Sequence, residues 1–135
     1  MRSIVDRLSD YFARQIALYR QMLAEQDQIL ALLDAGELDS AEALACKHAR
    51  DSAALEREFD ALLREWKSQP QTNADHAPAR ALAHEAAGLA GQLQEYVGIA
   101  AGSARKRREA VKREWEAIRR GQNVLDRYRT IESRE

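Results

Sequence analysis

The sequence has few residues that cross-link a chain, break a helix or build a large aromatic core. Its 135 residues include one cysteine, two prolines, six glycines and 6% aromatic residues. The single cysteine, Cys46, excludes an internal disulfide and is typical of a reduced, cytoplasmic protein. No apolar run reaches the roughly 18 residues that a membrane span needs. In a chain with 32% charged residues, these scarcities favour one domain, residues 1–135, made of long helices with narrow apolar faces.

Hydrophobic periodicity predicts an all-α fold with three helices, over residues 3–34, 39–67 and 78–133. In the first helix the inward positions alternate by three and four residues, which is typical of a coiled-coil seam. These positions are Val5, Leu8, Phe12, Gln15, Tyr19, Met22, Gln26, Ile29 and Leu33. Gly36 is placed to end this helix, and the short connection makes the first two helices antiparallel. The predicted fold is an elongated antiparallel three-helix bundle or coiled coil.

The third predicted helix is longer than the pair it packs against. At about 1.5 Å per residue, the first two helices are roughly 45 and 42 Å long, and an unbroken third helix is roughly 80 Å long. Such a pair covers only about thirty residues of the third helix. The segment 105–133 therefore extends past the bundle in this prediction. A break near Gly102, which folds the segment back as a fourth helix, is the alternative.

The same segment collects positive charge. Residues 105–135 hold eleven Lys and Arg against six Asp and Glu, whereas residues 1–104 hold ten against sixteen. Val111, Trp115 and Ile118 recur at spacings of four and three, so they share one side of a helix. Nothing later in the sequence covers this apolar edge. We therefore expect the basic segment 105–133 to bind a partner.

We find no convincing catalytic or metal-binding pattern, and we expect neither enzymatic activity nor a cofactor. His84-Glu85 lacks the second histidine of the HExxH zinc motif. Cys46 and His48 lie about 200° apart around a helix, so they cannot share one metal ion. Three polar positions on the apolar seams are interpreted as packing or register residues: Gln15, Gln26 and His48.

Two alternatives to a protein-binding segment stay open. The run Arg105–Arg108 could neutralise phosphates in a nucleic-acid binder, although Glu109, Glu114 and Glu116 interrupt the basic segment. The same stretch could instead be an ordinary solvated helix face with glutamate–arginine pairs one turn apart. We expect a protein partner rather than nucleic acid or a membrane, because the apolar edge would serve no purpose on phosphates.

The chain as a whole resembles the flagellar export chaperones of the FlgN/FliT class. The resemblance rests on QMLAEQDQILALLDAGELDSAEALA in the first hairpin, HARDSAALEREFDALLREW after it, and the ending EWEAIRRGQNVLDRYR. Proteins of this class are cytoplasmic helical chaperones of bacterial flagellum assembly and type III secretion. They hold hook-associated or filament-cap subunits before export, and their C-terminal helix binds the client.

The resemblance implies a helix-in-groove contact between the C-terminal helix and the terminal helix of a client protein. Carried over to this chain, the expected contact residues are Val111, Trp115, Ile118, Arg119, Arg120, Val124, Leu125 and Tyr128. A component of the export apparatus is a further expected partner. The alternative function is a self-associating coiled-coil adaptor, in which the tail pairs with a second copy to form a homodimer.

Overall fold

The computed structural model describes residues 3–68, 76–100 and 108–133, and the side chains within these ranges except at 97–100 and 108. Four helices occupy them: α1 (Ile4–Asp34), α2 (Leu38–Ser68), α3 (Ala77–Ala100) and α4 (Arg108–Ser133). No strand occurs within these ranges. The predicted all-helical fold is confirmed.

The end of α1 is set by one glycine. Gly36 has a φ of 75°, a left-handed conformation that other residues adopt only at a cost. In this geometry the Gly36 amide donates to the Leu33 carbonyl at 3.1 Å, and the Glu37 amide donates to the Leu32 carbonyl at 2.9 Å. Both bonds satisfy carbonyls that the helix end would otherwise leave unpaired. The chain therefore reverses direction within three residues.

Ion pairs along the first two helices show that they run antiparallel. The guanidinium of Arg7, near the start of α1, pairs with Glu65, near the end of α2. Near the other end, Lys47 Nζ lies 3.7 Å from Glu25 Oε1. The exposed pairs add little stability themselves, because solvent screens them. The hairpin is held chiefly by its apolar face.

The core is richest in aromatic rings where the start of α1 meets the ends of α2 and α4. The rings of Phe12 and Tyr128 approach edge to face, with centroids 4.9 Å apart. The cluster consists of Tyr11, Phe12, Phe59, Trp66 and Tyr128. All five are buried. This cluster joins the C-terminal helix to the hairpin.

Each helix of the hairpin has a second neighbour. α1 packs against α2 and α3, and α4 packs against the same two helices. α1 and α4 also meet across the core, where Phe12 touches Tyr128. The C-terminal helix is therefore a packed member of the bundle.

The prediction of one continuous third helix over 78–133 is wrong. The structure has two helices in that range, and the second of them packs against α2 and α3. The alternative, a break that creates a fourth helix, agrees with the structure, although Gly102 itself lies outside the described residues. The physical reason is burial. Leaving the apolar edge of α4 in water costs about 25 cal/mol for each Å² of apolar surface, and folding back removes that cost.

Across the parts of the chain that the structure describes, no helix carries an apolar stretch long enough to cross a membrane.

Candidate functional site

Four of the eight predicted contact residues lie on the inward face of α4. Ile118 and Tyr128 are each 1% exposed, and Val124 and Leu125 are equally well buried. They pack in the main core with residues of the other three helices. The apolar stripe was predicted to be uncovered, and for these four residues that prediction is wrong. Val111, a fifth, is half-buried against the same core.

Trp115 points the other way. Its side chain is 43% exposed, and it is the one large hydrophobic residue that is exposed in the described part of the chain. The adjacent residue, Glu114, is 2% exposed and takes the inward position instead. Successive residues of an α-helix are about 100° apart, so this one-residue difference rotates the apolar face relative to the predicted one.

The cations around Trp115 are of two kinds. Lys112 and Arg119 lie one turn before and one turn after it, and both are exposed. Neither forms an ion pair with a residue that the structure describes. Arg113, by contrast, donates to Glu42 at 3.2 Å and lies 3.7 Å from Glu116. The Trp115 patch, defined as Lys112, Trp115 and Arg119, therefore presents one ring and two uncompensated positive charges.

Other arginines of α4 attach the helix to α2. Arg120 donates to the Ala49 carbonyl at 3.1 Å. Arg127 pairs with Asp60, and its guanidinium carbon lies 5.2 Å from the centre of the Phe59 ring. Such a position over an aromatic face is attractive for a cation. Arg120, predicted to contact a partner, is thus engaged within the chain, whereas Arg119 is exposed.

An open groove of about 390 Å³ lies between α3 and α4. It is lined by Ala87, Ala90, Gly91, Gln94, Gln122, Leu125, Asp126 and Arg129. Gln122 and Arg129 follow Trp115 at intervals of seven residues, which places all three along one edge of α4. The Trp115 patch and the groove therefore share one side of the molecule.

A buried polar layer lies beneath this surface. His48 of α2 has no exposed surface, and its Nδ1 is hydrogen-bonded to Glu114 of α4. Gln26 of α1 donates to the second Glu114 oxygen at 2.8 Å. Glu25 Oε2 of α1 lies 3.6 Å from the other ring nitrogen, Nε2. The layer therefore ties together three helices through one imidazole and one buried carboxylate.

Burial alone would lower the pKa of His48, because a charged ring is less well solvated inside a protein. The hydrogen bond to Glu114 and the charges of Glu114 and Glu25 act in the opposite direction. Together the carboxylates outweigh burial and raise the pKa of His48 above its ordinary value.

A second buried polar contact joins α1 to α4. The amide of Gln15 donates to Tyr19 Oη at 3.3 Å and to the Gly121 carbonyl at 3.4 Å. Gln15, Tyr19 and Gly121 are all buried. The polar seam positions Gln15 and Gln26, interpreted from sequence as packing or register residues, thus both make hydrogen bonds to α4.

The contact between Glu114 and His48 was not predicted from the sequence. The available signal was the spacing of Ala110, Glu114, Ala117 and Gly121, which is as regular as that of Val111, Trp115 and Ile118. The prediction instead used only the larger apolar residues and placed them on an uncovered edge beyond the bundle. A buried polar seam position on α2 and two on α1 indicated that α4 could supply a polar partner there.

Comparisons of the chain with protein-family models, with curated proteins and with solved structures found no match.

Proposed function

We propose that the chain is a cytoplasmic export chaperone that binds the terminal helix of a hook-associated or filament-cap protein through α4, without catalysis or a cofactor. The observation that carries the proposal is the exposure of Trp115 on a packed helix, between two cations that form no ion pair with the described residues. Exposed tryptophan is uncommon on a surface that has no partner, and tryptophan is prominent among residues that dominate protein interfaces. The resemblance to the FlgN/FliT class supplies the kind of client.

The proposed contact surface is smaller than the stripe predicted from sequence. It uses Trp115, Arg119 and the accessible edge of Val111, with Lys112 added, and it continues into the groove between α3 and α4. Ile118, Val124, Leu125 and Tyr128 support this surface from the core. A client helix would place an apolar side chain against Trp115 and acidic side chains against the two cations.

The remaining helices serve as the scaffold in this proposal. The antiparallel α1–α2 hairpin, with its heptad seam, holds α4 at a fixed orientation by the contacts of Arg120 and Arg127. A rigid helix presents a binding residue more accurately than a loop does, which reduces the entropy lost on binding.

Substitution of Trp115 tests the proposal directly. The full-length chain and its Trp115→Ala variant are titrated with terminal fragments of hook-associated and filament-cap proteins by calorimetry. We expect one fragment to bind the parent chain, and the substitution to weaken that binding by about 2 kcal/mol, or roughly 30-fold. Because Trp115 is partly exposed, the variant should unfold at nearly the same urea concentration as the parent.

Asn123→Ala is the matched control, since Asn123 is an exposed residue on the same helix. It should bind the fragment as tightly as the parent chain does. Equal binding by Trp115→Ala contradicts the assignment of the site, and failure of every fragment to bind contradicts the chaperone proposal itself.

The same exposed ring also fits self-association, the adaptor function considered above. Sedimentation of the parent chain across a dilution series separates the two. A dimer that Trp115→Ala converts to monomer would favour the adaptor. Retention on DNA that falls steeply with salt would instead favour a nucleic-acid binder.

A further inference from the structure

The two carboxylates beside His48 favour a proton on each of its ring nitrogens. Glu114 accepts from Gln26 at one oxygen and bonds to His48 Nδ1 at the other. An ionised carboxylate only accepts hydrogen bonds, and beside an ionised Glu114 the proton is on Nδ1. In a neutral ring the other nitrogen, Nε2, then has a lone pair and no proton. That lone pair would face the Glu25 carboxylate, whose oxygen is 3.6 Å away.

Only the protonated ring suits both neighbours. With a proton on each nitrogen, the imidazolium donates a hydrogen bond to Glu114 through Nδ1 and forms an ion pair with Glu25, 3.6 Å from Nε2. The buried Glu114 carboxylate also gains the positive charge that its burial requires, because an unpaired buried charge is costly. The neutral ring keeps the hydrogen bond to Glu114, but it carries no positive charge. Its Nε2 lone pair then faces the negative Glu25 carboxylate.

We propose that His48 is a protonation-controlled clamp: doubly protonated, it ties α1, α2 and α4 together through Glu25 and Glu114, and loss of one proton releases the tie to α1 and lowers the stability of the bundle. The clamp is independent of the proposed client. It gives the protein a sensitivity to pH that acts where Glu25 of α1 meets His48 of α2.

The charged groups that face His48 come from two neighbouring helices. Glu25 on α1 is itself paired with Lys47 of α2, and Glu114 is on α4. The largest electrostatic influences on the ring come from Glu114 and Glu25, and no α3 residue is among them. Six residues before His48, Glu42 of α2 is paired with Arg113 of α4. The positive ring therefore lies between two negative groups, of which only one has another cationic partner.

The direction of the pH effect follows from the raised pKa of His48 in the folded chain. An unfolded histidine has a pKa of about 6.5. Below that pH both states are protonated, and the full stabilisation is present. As the pH rises through the higher folded pKa, the stabilisation is lost.

Urea unfolding of the full-length chain between about pH 5.5 and 8 tests the clamp. Above pH 6.5 the unfolding equilibrium constant should rise, approaching about tenfold per pH unit, until the folded-state pKa is passed. Two other groups whose pKa values shift on folding have their midpoints outside this pH range. Arg7 holds the pKa of Glu65 below its usual value, and burial raises the pKa of the Cys46 thiol, which ionises at about 8.5 when unfolded.

Two variants test whether His48 causes the rise in the unfolding equilibrium constant. His48→Gln, which keeps one amide donor but cannot be charged, should remove the rise above pH 6.5. His84→Gln, at an exposed position on α3, should leave the rise in place. A parent chain whose stability does not change over this window overturns the proposal, as does a rise that survives in His48→Gln.

A second measurement covers the case in which His48→Gln does not fold. The histidine ring protons of the parent chain and of Glu25→Gln are titrated by NMR, and His84→Gln assigns one of the other two signals. The His48 signal should titrate above about 6.5, and Glu25→Gln should move that midpoint down. A parent midpoint at or below about 6.5 contradicts the clamp.

Discussion

At Gly121 a ring from another helix occupies the place where a side chain would begin. A β-carbon added there would lie 1.4 Å from Tyr19 Oη and 2.6 Å from Tyr19 Cζ. Tyr19 is 1% exposed and bonded to Gln15, so its ring has little room to move. The absence of a side chain at Gly121 is what lets α1 and α4 approach at this level.

We predict that Gly121→Ala destabilises the protein by up to about 2 kcal/mol. Overpacking a core costs about 1–3 kcal/mol, and the gain of about 1 kcal/mol in helix propensity offsets part of that cost. Gly88→Ala on α3 is the matched control, because a β-carbon there meets no atom within 4 Å. The control should stabilise by up to about 1 kcal/mol. Urea unfolding measures both effects. Equal stabilisation by the two substitutions would show that the Tyr19 side chain moves aside at little cost in free energy.

The properties of single residues also explain why part of the candidate site was predicted and part was not. The sequence pattern placed Trp115 on one uncovered apolar edge with Val111 and Ile118, whereas in the structure Trp115 is exposed and Ile118 is buried. Hydrophobicity alone favours tryptophan over glutamate for burial. Glu114 is inside because His48 and Gln26 satisfy its oxygens, and that compensation depends on residues 66 and 88 positions away. Such long-range pairing leaves no local trace in the sequence.

Among the elements, the turn between α1 and α2 was the easiest to predict. The glycine that was expected to end the first helix has the left-handed backbone conformation that favours glycine. The observed helices on either side, Ile4–Asp34 and Leu38–Ser68, compare with the predicted ranges 3–34 and 39–67. Local signals sufficed here because a cap is decided by a few neighbouring residues.

We predict that Gly36→Ala destabilises the protein by about 1 kcal/mol or more, since the β-carbon is strained at a φ of 75°. No atom lies near enough to clash, so the strain is in the backbone alone. Thermal or urea unfolding measures the loss. Gly36→Asn should lose less, because asparagine adopts this conformation more readily than alanine. An alanine variant as stable as the parent would contradict this account of the turn.

The division of the predicted third helix was harder to anticipate. Glycines mark several positions there, and each was compatible with either close packing or a bend. What decides between a continuous helix and two helices is the apolar surface that α4 buries against the other three. This is a tertiary effect, and helix propensity and periodicity over 78–133 do not contain it.

For the whole molecule, the central consequence is that α4 belongs to the core. At one end of the bundle, the buried side chain of Tyr128 completes the aromatic cluster. Toward the other end, Glu114 is hydrogen-bonded to His48. A chain that ends before residue 108 would remove Tyr128 from Phe12 and Trp66 and leave His48 without Glu114. We predict that such a chain loses cooperative unfolding.

Circular dichroism during urea titration checks this prediction. The truncated chain should retain helical signal but unfold over a broad range of urea, with a smaller dependence on denaturant than the parent. Ser133, the last described residue of α4, is exposed, so a chain that ends after it should behave as the full-length one does. A sharp transition in the chain that lacks α4 would show that the other three helices form an independent core.

The protein has two tryptophans, and the structure places them in opposite surroundings. Trp66 is 6% exposed inside the aromatic cluster, and Trp115 is 43% exposed on α4. The emission of an indole moves to shorter wavelength when water is excluded from it. Unlabelled protein therefore carries two optical reporters: a change at Trp115 signals that its surface has been covered, and a change at Trp66 signals that the bundle has come apart.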